Sequence, residues 1–174
     1  TRVAPVGSAA LDDLSRRLAC AAPGEARRRL GLEALRPVVV YATGQMGHGI
    51  KVPPTYRTDS AYFAMERRVI EFFAAQSVAQ LVVKPKNTEF GLKNPILAWI
   101  EERRPANVRV ELGTPFSELI PAADAFLFDY SSTALLEALL TDKAVFMTDH
   151  LLNWEWEPWA REAFGSRIIY ERRL

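Results

Sequence analysis

The sequence predicts an α/β fold, a doubly wound parallel sheet of Rossmann-like type. Three observations predict it. From Arg36 onward, short β-branched runs alternate strictly with helical patterns. The strand runs are continuous rather than alternating in polarity, as in a sheet buried on both faces. The chain of 174 residues, 49% hydrophobic and 25% charged, fits one domain with its own core. Strict alternation implies right-handed crossovers, which place the helices on both sides of a parallel sheet.

Residues 1–36 stand apart. They carry seven Arg and four acidic residues, a balance of +3, whereas the remainder carries −2. Leu11, Leu14 and Leu18, then Ala26 and Leu30, recur at helical spacing among Arg16, Arg17, Arg27, Arg28 and Arg29. This predicts two short amphipathic helices broken at Pro23-Gly24. A solvated basic face is the plainer reading; a connector whose apolar stripe packs on a further domain is the alternative. Because the sequence begins at Thr1, an upstream part is expected. Residues 1–36 are therefore assigned as a helical connector from an N-terminal domain, and residues 37–174 as a nucleotide-binding domain.

Pro37 to Thr43 (PVVVYAT) reads as the first buried strand, and Asp59 is placed to cap a helix from Ser60 to about Ala75. Leu81 to Lys84 is the second strand. Asn94 and Pro95 make a cap and first-turn proline for a helix from Ile96 to about Arg103. Asn107 to Leu112 is the third strand, Pro115 to Ala122 a short helix, and Ala125 to Asp129 (AFLFD) the fourth strand. Ser132 to Leu140 is helical and Ala144 to Thr148 (AVFMT) the fifth strand. Trp154, Trp156 and Trp159 follow without clean helical spacing; core or interdomain packing is the plainer role for them, and a platform for a sugar or base the alternative. Arg167 to Tyr170 fits a sixth strand, and no helical pattern to cover it follows within the sequence.

Composition narrows the function. With 22 basic against 21 acidic residues there is no global positive field for nucleic acid or an anionic membrane, so an anionic ligand must be held locally. The single cysteine, Cys20, excludes an internal disulfide and a cysteine-based zinc site, and suits a reducing, cytoplasmic compartment. No apolar run reaches the length of about 20 residues that a membrane span needs. Neither a cofactor nor a metal is called for.

Ligands of open parallel sheets bind beyond the carboxyl ends of the strands, near the reversal of strand order. Two segments there have suitable chemistry. The glycines of Thr43-Gly44-Gln45-Met46-Gly47-His48-Gly49 let backbone amides approach a phosphate, with Gly44 and Gly47 as candidate contacts, and His48 is the candidate acid, base or donor to a phosphoryl oxygen. In Asp129-Tyr130-Ser131-Ser132-Thr133 the three hydroxyls and the start of a helix offer a diphosphate seat, and Asp129 can orient the loop or contact substrate. Glu137, about one and a half turns into that helix, is placed to accept bonds from a ribose diol. Lys84 and Lys86, in Lys84-Pro85-Lys86-Asn87, can neutralise phosphates. Asp149-His150 is a weaker candidate of the same kind.

The stretch Ala123 to Ser132 (ADAFLFDYSS), with Asp142 to Phe146 (DKAVF), resembles the donor-binding half of GT-B transferases, in particular the CDP-glycerol glycerophosphotransferase family of teichoic-acid type. Arg29-Leu30-Gly31-Leu32 before Val38 to Ala42 is similar to that family's entry into its C-terminal domain, and Pro54-Thr55-Tyr56-Arg57 to its motif after the first strand. Lys84-Pro85-Lys86-Asn87 stands where the family has a His-Pro pair, and Leu136-Glu137 follows the pattern of glycosyltransferases and UDP-GlcNAc 2-epimerase, whose glutamate binds ribose. The resemblance implies one half of a GT-B fold that binds a CDP- or UDP-linked donor. The whole enzyme would move a glycosyl or glycerophosphate group onto a cell-surface polymer precursor, with the acceptor held by an N-terminal domain. It also implies a cytoplasmic enzyme, at the inner face of the membrane when full-length. An epimerase of the same scaffold and a non-catalytic interaction domain are the rivals.

Overall fold

The computed structural model describes residues 7–44, 58–86, 94–148 and 156–171. Among these, six strands form one sheet: β1 (Val38–Ala42), β2 (Gln80–Lys84), β3 (Val108–Val110), β4 (Ala125–Phe128), β5 (Ala144–Thr148) and β6 (Ile168–Glu171). Their order is β3-β2-β1-β4-β5-β6, and every neighbouring pair is parallel. The chain starts in the middle, winds outward to β3, and returns to β4 on the other side of β1. The reversal of strand order therefore falls between β1 and β4, where Ala42 stands beside Phe128.

Among the described residues seven helices pack on this sheet: α1 (Ala9–Ala19), α2 (Pro23–Arg29), α3 (Asp59–Ala74), α4 (Pro95–Arg103), α5 (Phe116–Leu119), α6 (Thr133–Ala138) and α7 (Pro158–Phe164). A 3-10 turn at Ile120–Ala122 follows α5. Side chains alternate across the pleat and so divide the core in two. Val38, Val40, Val82, Phe126, Phe128, Val145 and Met147 face one layer, with Leu119 and Leu135 from α5 and α6. Tyr41, Leu81 and Val83 face the other, against Tyr62, Met65, Val69 and Ile70 of α3 and Ile96 and Ile100 of α4. Beyond the cover of α3 and α4 that second face continues as an apolar groove of about 470 Å³, lined by Val39, Leu127, Phe146 and Ile169 beside Phe72 and Phe73.

The N-terminal helices close on this domain's own core. Leu14, Ala26 and Leu30 are buried in the same cluster as Val38 and Phe126. Arg27 fastens them: Nε donates to Ala122 O (3.0 Å), Nη1 to Ala34 O (2.8 Å) and Nη2 to Asp124 Oδ2 (2.5 Å). The same Asp124 oxygen accepts the Val38 amide at 2.7 Å, tying the clasp to the first residue of β1. Gln80 pins the following linker, accepting from Glu33 N and donating to Glu33 O. The Asn107 amide donates to three carbonyls, those of Phe73, Gln76 and Ala79, and so joins the end of α3 to the strands behind it.

Several local expectations are corrected. Pro23-Gly24 does not break the helices: Pro23 opens α2, where its missing N–H is no loss, and the break falls at residues 20–22. The cap of α3 is Thr58, whose hydroxyl accepts from Ala61 N, and Asp59 is the first helical residue. Asn94 caps α4 as expected, its side chain accepting from Ile96 N at 3.0 Å. The helix expected over Ser132 to Leu140 is α6, ending at Ala138. The tryptophan segment holds an unexpected helix, α7, with Pro158 at its first turn. It divides the aromatic residues: Trp156 packs edge-on against Phe164 at 5.7 Å and joins the core, whereas Trp159 is 68% exposed. Trp154 lies outside the described residues.

Candidate functional site

The ends of β1 and β4 bring together Thr43, Gly44, Asp129 and Tyr130. A side chain at Gly44 would have its Cβ 3.2 Å from Tyr62 Cε1, 3.3 Å from Asp129 Oδ1 and 3.6 Å from Tyr130 Cβ. Close approach is therefore what requires glycine here.

Beneath Gly44 lies a buried acidic cluster. Asp129 is fully buried and its Oδ2 accepts from the Tyr41 hydroxyl at 2.8 Å. Glu66, from the middle of α3, is also fully buried. Neither Glu66 oxygen, nor Asp129 Oδ1, has a hydrogen-bond partner of good geometry. Burial pushes the Glu66 carboxyl up to about 10, with the Asp129 charge adding to it and the Thr43 hydroxyl opposing. Burial likewise pushes Asp129 up to about 7, opposed by the Tyr41 hydroxyl and the backbone amides of Gly44 and Asp129 itself. Tyr41 is held well above its ordinary value by burial and by both carboxyls. The physical cause is shared: charged forms without cations to pair with lose their hydration in the core. At neutral pH the pair carries at most one negative charge.

Sequence reasoning missed Glu66, Tyr41 and Tyr62. A signal for Glu66 existed. Tyr62, Met65, Val69 and Ile70 recur at helical spacing, and Glu66 sits inside that stripe, where a solvated carboxylate would not belong.

The other candidates divide. Ser131 and Ser132 are half-buried at the site, and Thr133 opens α6 in an exposed position. Ser132 occupies the cap position by its backbone, but its hydroxyl makes no cap bond. Lys86 lies over the Tyr130 ring, its Nζ 5.5 Å from the centroid, and so joins the cluster at the strand reversal. Lys84 does not: its ammonium donates to Leu112 O at 2.9 Å, beyond the end of β3, where burial lowers its pKa against the opposing pull of Glu111. Asp129 is fully buried, held by the Tyr41 hydroxyl and set against Gly44. Glu137 is half-buried within Coulombic reach of Arg17 on α1; burial raises its pKa and Arg17 opposes the rise. Gly47, His48, Pro54 to Arg57, Asn87, Asp149 and His150 lie outside the described residues. Among the described residues no group of three or more His, Cys, Asp or Glu is placed to hold a metal ion. No described helix is long and apolar enough to cross a membrane.

No protein-family model matches the chain, and no curated protein does. Solved structures do. The wall teichoic acid polymerase TagF matches with a TM-score of 0.52 at 16% identity, over 84% of this chain and 33% of the polymerase chain. A histidine-to-asparagine variant of the same polymerase matches with a TM-score of 0.51 at 16% identity, over 86% and 34%. The glycosyltransferase SnogD from Streptomyces nogalater matches over 67% and 26%, at 21% identity and a TM-score of 0.44. The chain thus spans about a third of the polymerase chains it matches. What it shares with them is the fold: an all-parallel, six-stranded Rossmann-like α/β sheet, similar to one part of the polymerase chain.

Proposed function

We propose that this chain is the donor-nucleotide-binding domain of a GT-B transferase that moves a glycosyl or glycerophosphate group from a CDP- or UDP-linked donor. One observation carries the reading: Gly44, Asp129, Ser131, Ser132 and Lys86 converge at the carboxyl ends of β1 and β4, where strand order reverses. The likeness in fold to part of the teichoic acid polymerase supports it. In this reading residues 1–36 lead in from an N-terminal acceptor domain, and the polymer precursor binds there.

Catalysis would be positioning and charge stabilisation, with the backbone and hydroxyls of Ser131 to Thr133, the loop from Gly44 through Gly47, and Lys86 receiving the negative charge that develops on the leaving nucleotide. Glu137 would hold the ribose once turned away from Arg17. His48 is the candidate proton carrier. Because the acceptor side belongs to the other domain, these 174 residues are expected to bind donor without turnover.

The test is a melting screen against CDP, UDP, GDP, CDP-glycerol and UDP-GlcNAc, with Ser132→Ala and Glu137→Ala alongside. A ligand at 100 times its dissociation constant adds about 2.7 kcal/mol, or about 5–10 °C for a domain of this size. A base-selective rise that both variants lose establishes the site. UDP-GlcNAc selectivity with epimerised product would turn the assignment to an isomerase. No rise with any nucleotide would overturn the donor reading for this chain.

A further inference from the structure

Two fully buried carboxyl groups, Glu66 and Asp129, lie under Gly44, and among the described residues no ion pair brings a cation to them. Asp129 is faced by Tyr41 from β1, by Tyr62 and Glu66 from α3, and by the backbone of Gly44. None of the described ion pairs or hydrogen bonds brings a lysine or arginine to either carboxyl. Three of the four carboxyl oxygens have no well-formed hydrogen bond. Two adjacent anions in such a place are too costly, so the pair keeps a proton and holds one charge at most. Lys86 lies over Tyr130, the residue after Asp129, with its Nζ 5.5 Å from the ring centroid.

That remaining charge lies directly under the glycine and beside the tyrosine that border the proposed donor crevice. A nucleotide donor joined through a diphosphodiester is dianionic and has no proton of its own to give near neutrality. We propose that Glu66 and Asp129 act as a proton-storing couple under the donor crevice, so that an anionic donor is bound together with one proton drawn from solvent onto a carboxylate oxygen of the pair. The inference rests on the donor reading above. Its chemical logic is simple: protonation removes the like charge that donor phosphates would otherwise meet across a medium of low dielectric. Glu66, fully buried on α3, is in this sense a positioning residue.

The experiment is titration calorimetry of the full 174-residue chain with UDP-GlcNAc and with CDP-glycerol from pH 6 to 8.5. Each titration is run in two buffers of different ionisation heat. Neither donor titrates in that range, so any buffer-dependent heat reports protons taken up by the protein. The expected result is uptake of up to one proton per donor, with affinity falling by up to about tenfold per pH unit above pH 7. Asp129→Asn, and the double variant Glu66→Gln/Asp129→Asn, should abolish the uptake. The buffer comparison on the unaltered chain needs no variant to fold. Equal heats in both buffers with pH-independent affinity would overturn the coupling and leave the donor reading standing. Uptake that persists in the double variant would also overturn it. No binding of either donor at any pH would overturn the donor reading and the coupling with it.

Discussion

Glu66→Gln keeps the shape of a protonated glutamate and removes its ability to ionise. In the unfolded chain Glu66 titrates near its ordinary value of 4.5, and in the folded chain burial holds it up near 10. A carboxyl raised in this direction contributes stability that is complete below the unfolded value and is lost as pH rises toward the folded one. Between pH 5 and 7 the unfolded state has released the proton and the folded state has not, so the wild type loses about 1.4 kcal/mol per pH unit through this residue. Over those two units the loss is about 3 kcal/mol, or about 5–10 °C in melting temperature for a domain of this size. The glutamine variant escapes it. Asp129 titrates in both proteins and drops out of the difference. Urea unfolding of both proteins at pH 5, 6 and 7 measures the gap directly. The variant should gain on the wild type by about 3 kcal/mol across the series. A gap constant to within about 0.5 kcal/mol would refute the claim that Glu66 is buried protonated.

Arg27→Ala removes three hydrogen bonds, one of them to Asp124, and should cost about 1–2 kcal/mol in denaturant unfolding, since the Arg27 side chain is 14% exposed but that of Asp124 is 48% exposed; a loss under about 0.5 kcal/mol would mean the helices are held by apolar contacts alone. Phe128→Ala, in a fully buried position beside Phe126 and Phe116, should cost about 3–5 kcal/mol by the same measurement. Lys86→Gln should weaken donor binding several-fold in calorimetry and flatten its salt dependence, whereas Lys84→Gln should leave affinity within about twofold, since Lys84 faces the end of β3. Equal effects of the two lysines would contradict the separation of their side chains.

Most of the fold was legible because its elements are short, apolar and alternating, and that pattern leaves few topologies. Where reading failed, the signal was tertiary. The composition step at residue 36 marks the segment off but does not show where its apolar stripe goes: Leu14, Ala26 and Leu30 bury in the cluster of β1 and β4 residues, through contacts across about a hundred residues. Lys84 and Lys86 looked equivalent because they lie two residues apart at one strand end; Lys84 closes β2 and its ammonium is taken by Leu112 O after β3, whereas Lys86, past Pro85, lies over the Tyr130 ring after β4. Glu66 was passed over as one charge among several in Met65-Glu66-Arg67-Arg68, although its helical phase placed it in the core. The tryptophan segment hid α7 because Pro158 and the aromatic residues blur the period that a six- or seven-residue helix can display.

The apolar groove along β4 to β6 has a practical consequence. Phe72, Phe146 and Ile169 are 66%, 38% and 54% exposed, and together with Val39 and Leu127 they form a continuous greasy trough on a folded molecule. Environment-sensitive fluorophores, which brighten in apolar surroundings, report unfolding only when the native state leaves them dark. Here the native state offers them a ready seat, so such a dye should glow before heating and lose contrast at the transition. Intrinsic tryptophan emission needs no added dye, and among the described tryptophans Trp156, half-buried against Phe164, is placed to respond to unfolding. The same trough should make the protein hold onto detergent monomers and hydrophobic resins while fully folded.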